Sequence, residues 1–333
     1  MAEFLPVFYF FVMGLALLVY VVLDGYDLGI GLLFPWASDA EKDLMIASIG
    51  PFWDANETWI VLGVGVLLIA FPHAHGEILS SLYIPVTLML LGLVLRGVAF
   101  EFRVKAGERY KSRWNKCFFT GSLIASLSQG WMLGAYITAL EPNTISRLFS
   151  FCIALALPAL YVLLGCAWLL IKTEGDLYRK AINWAQIMLA PMTMGLILVS
   201  VATPLVSESI AEKWFTVQSF IGLLPIPLSC GIALVTIAAM LRHPDWLFGG
   251  REWFVFAALL VICLMAGIGL AYSLYPYIII DRLTLWEAAA ATESLQFIAY
   301  GVVLSVPAIA AYTAFTYWVF RGKSSTLSYG EVD

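Results

Sequence analysis

Long apolar runs alternate with short polar segments along the whole chain. A helix needs about 20 mostly apolar residues to cross the hydrocarbon core of a bilayer. Nine runs reach that length, so the pattern predicts an all-α, polytopic membrane protein. We expect a single integral membrane domain over 1–333, built as two four-helix bundles plus one peripheral helix. The predicted helices lie at 5–35, 51–72, 77–101, 116–139, 146–171, 183–207, 216–241, 253–279 and 298–320.

The composition supports the same fold class. Hydrophobic residues make up 62% of the 333 residues and charged residues only 12%. A soluble domain carries roughly 25% charged residues. The net charge of −5 is small and does not indicate a nucleic-acid partner.

Lysine and arginine are distributed unevenly between the two sets of loops. If nine helices alternate in direction, one set holds 14 basic residues and the other only three. Cytoplasmic loops carry the excess of basic residues in membrane proteins. The pattern therefore predicts an N-terminus outside and a C-terminus in the cytoplasm. The three exceptions are Arg147, Lys213 and Arg282.

Ionisable residues interrupt the first three runs near the ends that this topology places toward the cytoplasm. Two carboxyls in the first run, and two in the second, are three residues apart and so share a helix face. Consecutive helices usually pack side by side. We therefore expect one polar cluster opening toward the cytoplasm, formed by Asp24, Asp27, Asp54, Glu57, Arg96 and Glu101.

The chemistry of such a cluster has a functional and a structural interpretation. Intramembrane carboxyl groups can relay protons, with Arg96 as a permanent counter-ion and Trp53 as a wall of the site. In the structural interpretation, Asp54 and Glu57 only cap the second helix. Asp24 and Asp27 would then form an ion pair with Arg96.

Two further features of the sequence indicate structural roles. Arg103 is expected to extend its charged end to the membrane surface. The series Gly25, Gly29 and Gly31 in the first run is expected to allow another helix to approach closely.

The three histidines occupy positions that do not favour haem ligation by this chain. A membrane b-type haem needs axial ligands projecting from facing helices. His73 and His75 lie in the turn after the second run, and His243 lies in a loop. We expect this chain to bind neither haem nor a metal by itself.

Three motifs carry a resemblance to a known family. They are D-G-Y-D-L-G at 24–29, P-F-W-D-A-N-E-T-W at 51–59 and R-G-V-A-F-E-F-R at 96–103. In order and spacing they resemble subunit II of cytochrome bd-type quinol oxidases, and the short chain looks more like the cyanide-insensitive branch. Many relatives carry an aspartate soon after a tryptophan where this chain has Trp114-Asn115, so that position cannot titrate here.

The resemblance implies a heterodimer in a bacterial cytoplasmic (inner) membrane. Subunit I would hold haem b and haem d, and the complex would reduce O2 to water with quinol electrons and cytoplasmic protons. A small single-helix accessory subunit is a further partner that the family allows. The implied proton path contains Asp54, Glu57 and Glu101. The residues implied to support the haem site of subunit I are Trp53, Arg96, Asp24 and Asp27.

Two other functions remain compatible with the residues themselves. A proton-coupled secondary transporter could use the same carboxyls, and would have broken helices at the middle of the membrane. A purely structural subunit would use them only for ion pairs and helix caps.

Overall fold

The computed structural model describes residues 3–105, 107–206, 208–247 and 249–324, and this part of the chain is mainly helical. The helices are α1 Phe4–Leu33, α2 Asp39–Ile49, α3 Trp53–Ala70, α4 Pro72–Ser81, α5 Tyr83–Lys105, α6 Glu108–Ile137, α7 Thr144–Lys172, α8 Gly175–Val206, α9 Glu208–Phe215, α10 Val217–Leu223, α11 Pro225–Arg242, α12 Trp253–Leu274, α13 Leu285–Ala288 and α14 Thr292–Val319. Strands β1 Tyr277–Ile279 and β2 Leu283–Thr284 form a small antiparallel hairpin.

Eight helices in the described residues are long and apolar enough to cross a membrane, against nine predicted runs. The remaining run, 116–139, falls in α6, which has 30 residues and is therefore about 45 Å long. Helix α6 packs against α5, α7 and α1. Its polar side chains Ser122, Ser126 and Gln129 are buried. Neighbouring helices therefore cover these three polar side chains of α6.

Several predicted boundaries were wrong because turns interrupt the apolar runs. The run 77–101 includes the end of α4, and α5 begins only at Tyr83. The run 216–241 is divided at Leu224 into α10 and α11, where Pro225 starts the new helix. Proline is accepted at the first position of a helix because the N–H that it lacks has no partner there. Pro51 lies in the turn that precedes α3.

Glycines bring α1 and α7 into close contact, as the sequence predicted. A Cβ at Gly29 would lie 1.8 Å from the main-chain oxygen of Tyr161, and one at Gly25 would lie 2.8 Å from the Tyr161 ring. From the other side, a Cβ at Gly165 would meet the main-chain nitrogen of Ile30 at 2.8 Å. Only glycine permits such an approach, which fixes α1 against α7 and so positions the polar face of α1.

The segment after α1 forms a turn and a helix of its own. Pro35 limits the helical conformation of the residue before it, and α1 gives way to a short 3-10 turn at Phe34–Trp36. Ser38 and Glu41 then form a capping box at the start of α2, each side chain accepting a hydrogen bond from the other residue's main-chain N–H. Helix α2 thus returns the chain toward α3.

Helix α14 lies at the periphery and contacts α3 and α1. Most of its apolar side chains are exposed on the chain. Two lysines hold its end: Lys172 of α7 donates to the main-chain oxygens of Phe320 and Gly322, and Lys323 donates to those of Leu170 and Thr173.

Candidate functional site

Four ionisable side chains from three helices meet inside the protein. Asp24 and Asp27 of α1 are fully buried, and Arg96 of α5 is only 2% exposed. The Arg96 Nη2 lies 2.6 Å from Asp24 Oδ1 and also forms an ion pair with Glu57 of α3. We call Asp24, Asp27, Glu57 and Arg96 the carboxylate cluster.

A neutral hydrogen-bond network joins the carboxylate cluster to α14. The amide of Asn56, which is fully buried, donates to Asp27 Oδ2 at 2.9 Å and to the Tyr26 hydroxyl at 2.8 Å. The Tyr317 hydroxyl of α14 donates to Asn56 Oδ1 at 3.1 Å and lies 2.6 Å from the Tyr26 hydroxyl. These three residues had no role in the sequence analysis, although Asn56 lies within the motif of α3.

A second neutral network leads from α1 into the centre of the helices. Tyr20 lies one turn before Asp24, and its hydroxyl accepts a hydrogen bond of 2.8 Å from Gln129 of α6. The Tyr161 hydroxyl of α7 donates to Gln129 Oε1 at 2.5 Å. Polar groups therefore connect α1, α6 and α7 without adding charge.

The charges of the carboxylate cluster do not balance. Among the described residues, three carboxyl groups share one guanidinium. No described residue donates a hydrogen bond to Asp27 Oδ1. Burying an unpaired carboxylate is costly, and such a group usually becomes neutral instead. The arrangement can therefore hold and exchange protons.

Two of the six residues expected in the cluster lie outside it. Asp54, in the first turn of α3, is exposed. Glu101 is half exposed, and its nearest basic partner is Lys105, at 3.5 Å on the same helix. The expected convergence was wrong for both residues. Asp54 is exposed at the start of α3, and Glu101 lies about 140° around the α5 axis from Arg96. Glu57 was the candidate for a mere helix cap, but it contacts Arg96 instead.

Trp53 borders the carboxylate cluster. Its ring packs on Phe100 with centroids 5.1 Å apart. Together with Asp27 and Arg96 it lines a narrow crevice that also includes Gly97 and Phe118. The aromatic ring thus lies beside Asp27 and Arg96 along this crevice.

Arg103 does not extend to the membrane surface as expected. It is only 3% exposed, with Nη2 at 2.7 Å from Asp43 of α2 and Nε at 2.6 Å from Asn115 Oδ1 of α6. Its guanidinium also lies 5.8 Å from the centre of the Phe34 ring. We call Arg103, Asp43 and Asn115 the edge site. One guanidinium there meets one carboxylate and one neutral amide.

The histidines lie at helix ends rather than within the apolar helices. His73 and His75 belong to α4, and His243 follows α11, where its ring stacks on Trp246 at 4.9 Å. The described residues contain no group of three or more His, Cys, Asp or Glu side chains that could hold a metal ion. These histidine positions do not fit axial ligation of a haem inside the membrane.

Comparisons with known proteins agree with the motifs. The family model described as "Cytochrome bd terminal oxidase subunit II" matches residues 5–320. The chain is 27% identical over 351 residues to cytochrome bd ubiquinol oxidase subunit 2 of Bacillus subtilis, covering 95% of this chain and 96% of that protein. It is 26% identical over 368 residues to cytochrome bd-I ubiquinol oxidase subunit 2 of Escherichia coli K12, covering 96% and 95%.

A solved structure has the same fold. A chain of "The structure of bd oxidase from Geobacillus thermodenitrificans" superposes with a TM-score of 0.68 at 17% identity, covering 94% of this chain and 99% of that one. The family match over nearly the whole length decides the classification: this chain belongs to the cytochrome bd terminal oxidase subunit II family and is a transmembrane subunit of a quinol oxidase, an oxidoreductase complex.

Proposed function

We propose that this chain is the haem-free subunit of a heterodimer in which subunit I reduces O2 to water with electrons from quinol. Its own part is to deliver cytoplasmic protons toward haem b and haem d of subunit I. Family membership implies haem in the complex, quinol as its substrate and a subunit I partner. The carboxylate cluster carries the proposal, because two buried carboxyls and one partly exposed carboxyl around one guanidinium form a site that can exchange protons.

The proposed route starts at the exposed N-terminal end of α3. Asp54 lies in the first turn of α3, and Glu57 lies one turn further along the same helix. Glu57 contacts Arg96, which in turn contacts Asp24. Protons would enter near Asp54 and reach Asp24 and Asp27 through Glu57. Arg96 cannot give up its proton, so its role is to hold the carboxyls together.

The remaining predicted site residues take supporting roles in this proposal. Trp53 limits access of water and lipid from its side of the crevice. Glu101 lies on the exposed face of α5, beside Lys105. It would serve at the surface as a proton-collecting group, not inside the cluster.

We further propose a topology with nine membrane spans, in which α6 is the fourth. It places the N-terminus in the periplasm and the C-terminus in the cytoplasm. The proposed two groups of four helices are α1, α3, α5 and α6, then α7, α8, α11 and α12, with α14 outside both. The 14-to-3 distribution of basic residues supports this orientation. Helix α7 also packs closely against α1 and α6, so the two proposed groups meet along α7.

Family membership favours the oxidase over a secondary transporter. The purely structural subunit remains the alternative, since ion pairs alone would also account for the burial of Asp24 and Arg96. The intact heterodimer with Glu57→Gln distinguishes them. We expect oxidase turnover to fall about tenfold or more, as for loss of a proton-transferring side chain, while the haem absorption spectrum stays normal.

Two variants complete the experiment. Glu57→Asp retains a titratable group and should recover part of the turnover. Asp39→Asn is the matched control, because Asp39 is an exposed carboxylate of α2 with its side chain 89% exposed. Full turnover of Glu57→Gln with normal haem content would reject the route. Asp54→Asn then tests the entry point, with a smaller reduction expected because water can reach the next carboxyl.

A further inference from the structure

An unbalanced group of positive charges lies where α5 ends and α6 begins. Arg109, Arg113 and Lys116 of α6 are spaced four and three residues apart, so they share one face of the helix. All three are exposed. Lys105 of α5 lies beside them in the chain, with its side chain 77% exposed. Because Lys105 pairs with Glu101, we call only Arg109, Arg113 and Lys116 the basic corner.

The basic corner differs from the other charged positions on this side of the molecule. Lys42 pairs with Asp39 at 2.9 Å, and Lys180 with Glu41 at 2.8 Å. Arg103 of α5 and Lys111 of α6 both pair with Asp43. Among the side chains that the structure describes, Arg109, Arg113 and Lys116 form no ion pair with a carboxylate. A partner outside the chain would balance their charge.

Aromatic residues mark the depth at which the basic corner lies. Phe102, which is 56% exposed, stacks on Trp114 with ring centroids 5.3 Å apart. Tyr110 lies 5.7 Å from the Arg113 guanidinium and is exposed. Such rings are enriched at the level of lipid headgroups.

The length of the polar part of α6 agrees with this depth. The apolar part of the helix starts at Cys117. The segment 109–116 before it extends about 10 Å along the axis. The headgroup layer on each side of a bilayer is about 5–7 Å thick. The basic side chains therefore lie within or just beyond that layer.

We propose that the basic corner binds the headgroups of anionic phospholipids. The ligand chemistry is a phosphodiester carrying negative charge, with acyl chains that pack along the apolar side chains below. The planar guanidinium groups of Arg109 and Arg113 match the geometry of a phosphate. This surface is separate from the proposed proton route and does not depend on it.

The test uses the complete heterodimer in nanodiscs of zwitterionic phosphatidylcholine with a minor fraction of phosphatidylglycerol. The variant carries R109Q, R113Q and K116Q, and the matched control carries R242Q, R251Q and R321Q. The control removes the same charge from exposed positions on the same predicted side. After detergent extraction, mass spectrometry counts the phosphatidylglycerol molecules that remain on each complex.

We expect the variant to retain at least about tenfold less phosphatidylglycerol, and the control to stay within about twofold of the unmodified complex. Salt should reduce retention by the unmodified complex, because the contacts are electrostatic. Equal retention in all three complexes would show that the proposal is wrong. So would loss of subunit I from the variant with unchanged lipid, since the basic corner would then be a subunit contact.

A third arm separates lipid from free phosphate as the source of the anion. Retention is measured in sodium phosphate and in sodium chloride of the same ionic strength. Equal retention supports a lipid site. Selective displacement of phosphatidylglycerol by inorganic phosphate would mean that a soluble anion occupies the basic corner, and would overturn the assignment.

Discussion

Arg96 and Arg103 lie on the same helix, two turns apart, and both are buried, yet their surroundings differ. Arg96 contacts Asp24 and Glu57, with Asp27 nearby, so carboxyls outnumber the guanidinium. Arg103 contacts one carboxylate, Asp43, and a neutral amide. Both sites join α5 to other helices, but only the first keeps surplus carboxyls away from water. That surplus is costly and adds nothing to packing, which is why we assign proton transfer there and a structural role to the edge site.

Removing the deeper arginine should have the largest effect. Arg96→Gln leaves Asp24 and Glu57 without a counter-ion in a buried site. Losing one partner of a buried ion pair costs about 3–5 kcal/mol. We expect a strongly reduced yield of the heterodimer, measured by co-purification of subunit I and its haem absorption. Arg96→Lys keeps the charge but not the planar geometry, and should be intermediate. Normal yield for Arg96→Gln would mean that the carboxyls are already neutral without it.

Removing the edge arginine should have a smaller effect and a different one. Arg103→Gln breaks the contacts to Asp43 and Asn115, but the Asp43 side chain is 53% exposed and water can solvate it. We expect a loss of about 1–3 kcal/mol, seen as a lower unfolding temperature of the complex, with normal turnover per haem. A tenfold fall in turnover at normal haem content would remove the distinction between the two sites.

The angular positions on α5 explain which parts of this comparison could be predicted from sequence. Successive residues turn by about 100° around a helix axis. Arg103, seven residues after Arg96, lies within about 20° of the same face, so its burial was predictable from spacing alone. Glu101, five residues after Arg96, lies about 140° away, and its exposure follows. Membrane depth alone, without this angle, places both residues wrongly.

Helix α3 shows that residue spacing alone does not predict which polar side chain points inward. Asp54 and Glu57 are three residues apart and were grouped together, yet only Glu57 contacts Arg96. The residue of α3 that faces α1 is Asn56, which is fully buried, and Asp54 lies about 160° from it. Which residue of a polar motif points inward depends on where α1 sits. That position is fixed by the contact of Gly29 with α7, a tertiary feature outside the motif.

Each of the two sites also contains a neutral amide. Asn56 donates a hydrogen bond to Asp27 of the carboxylate cluster, and Asn115 accepts one from Arg103. Tyr317→Phe removes the hydrogen bonds from α14 to Asn56 and Tyr26. We expect a loss of about 1 kcal/mol, measured as a lower unfolding temperature. Tyr312→Phe is the matched control, because Tyr312 lies on the exposed face of the same helix. An equal effect of both changes would show that the network does not hold α14.

The smallest effect is expected at Glu41 of α2, a third ion-paired residue. Its carboxylate accepts hydrogen bonds from Lys180 Nζ at 2.8 Å and Ser38 N at 2.7 Å. Burial alone would raise the pKa of Glu41, but these hydrogen bonds outweigh burial and hold its pKa below the usual range. The folded protein therefore binds this proton less readily than the unfolded chain does. Its stabilising contribution is present above the unfolded pKa of about 4.3 and is lost as pH falls through the folded value.

Glu41→Gln should accordingly lower stability by less than about 1 kcal/mol near neutral pH. Thermal unfolding of the complex between about pH 6 and pH 3.5 measures the change, and the gap between variant and unmodified protein should narrow toward the acid end. Lys180→Gln removes the other side of the ion pair, so the double variant should lose less than the sum of the two single losses. A gap that stays constant with pH would show that Glu41 acts only through its packing. In that case the ion pair of Glu41 would make no pH-dependent contribution to stability, and the comparison of Arg96 with Arg103 would be unaffected.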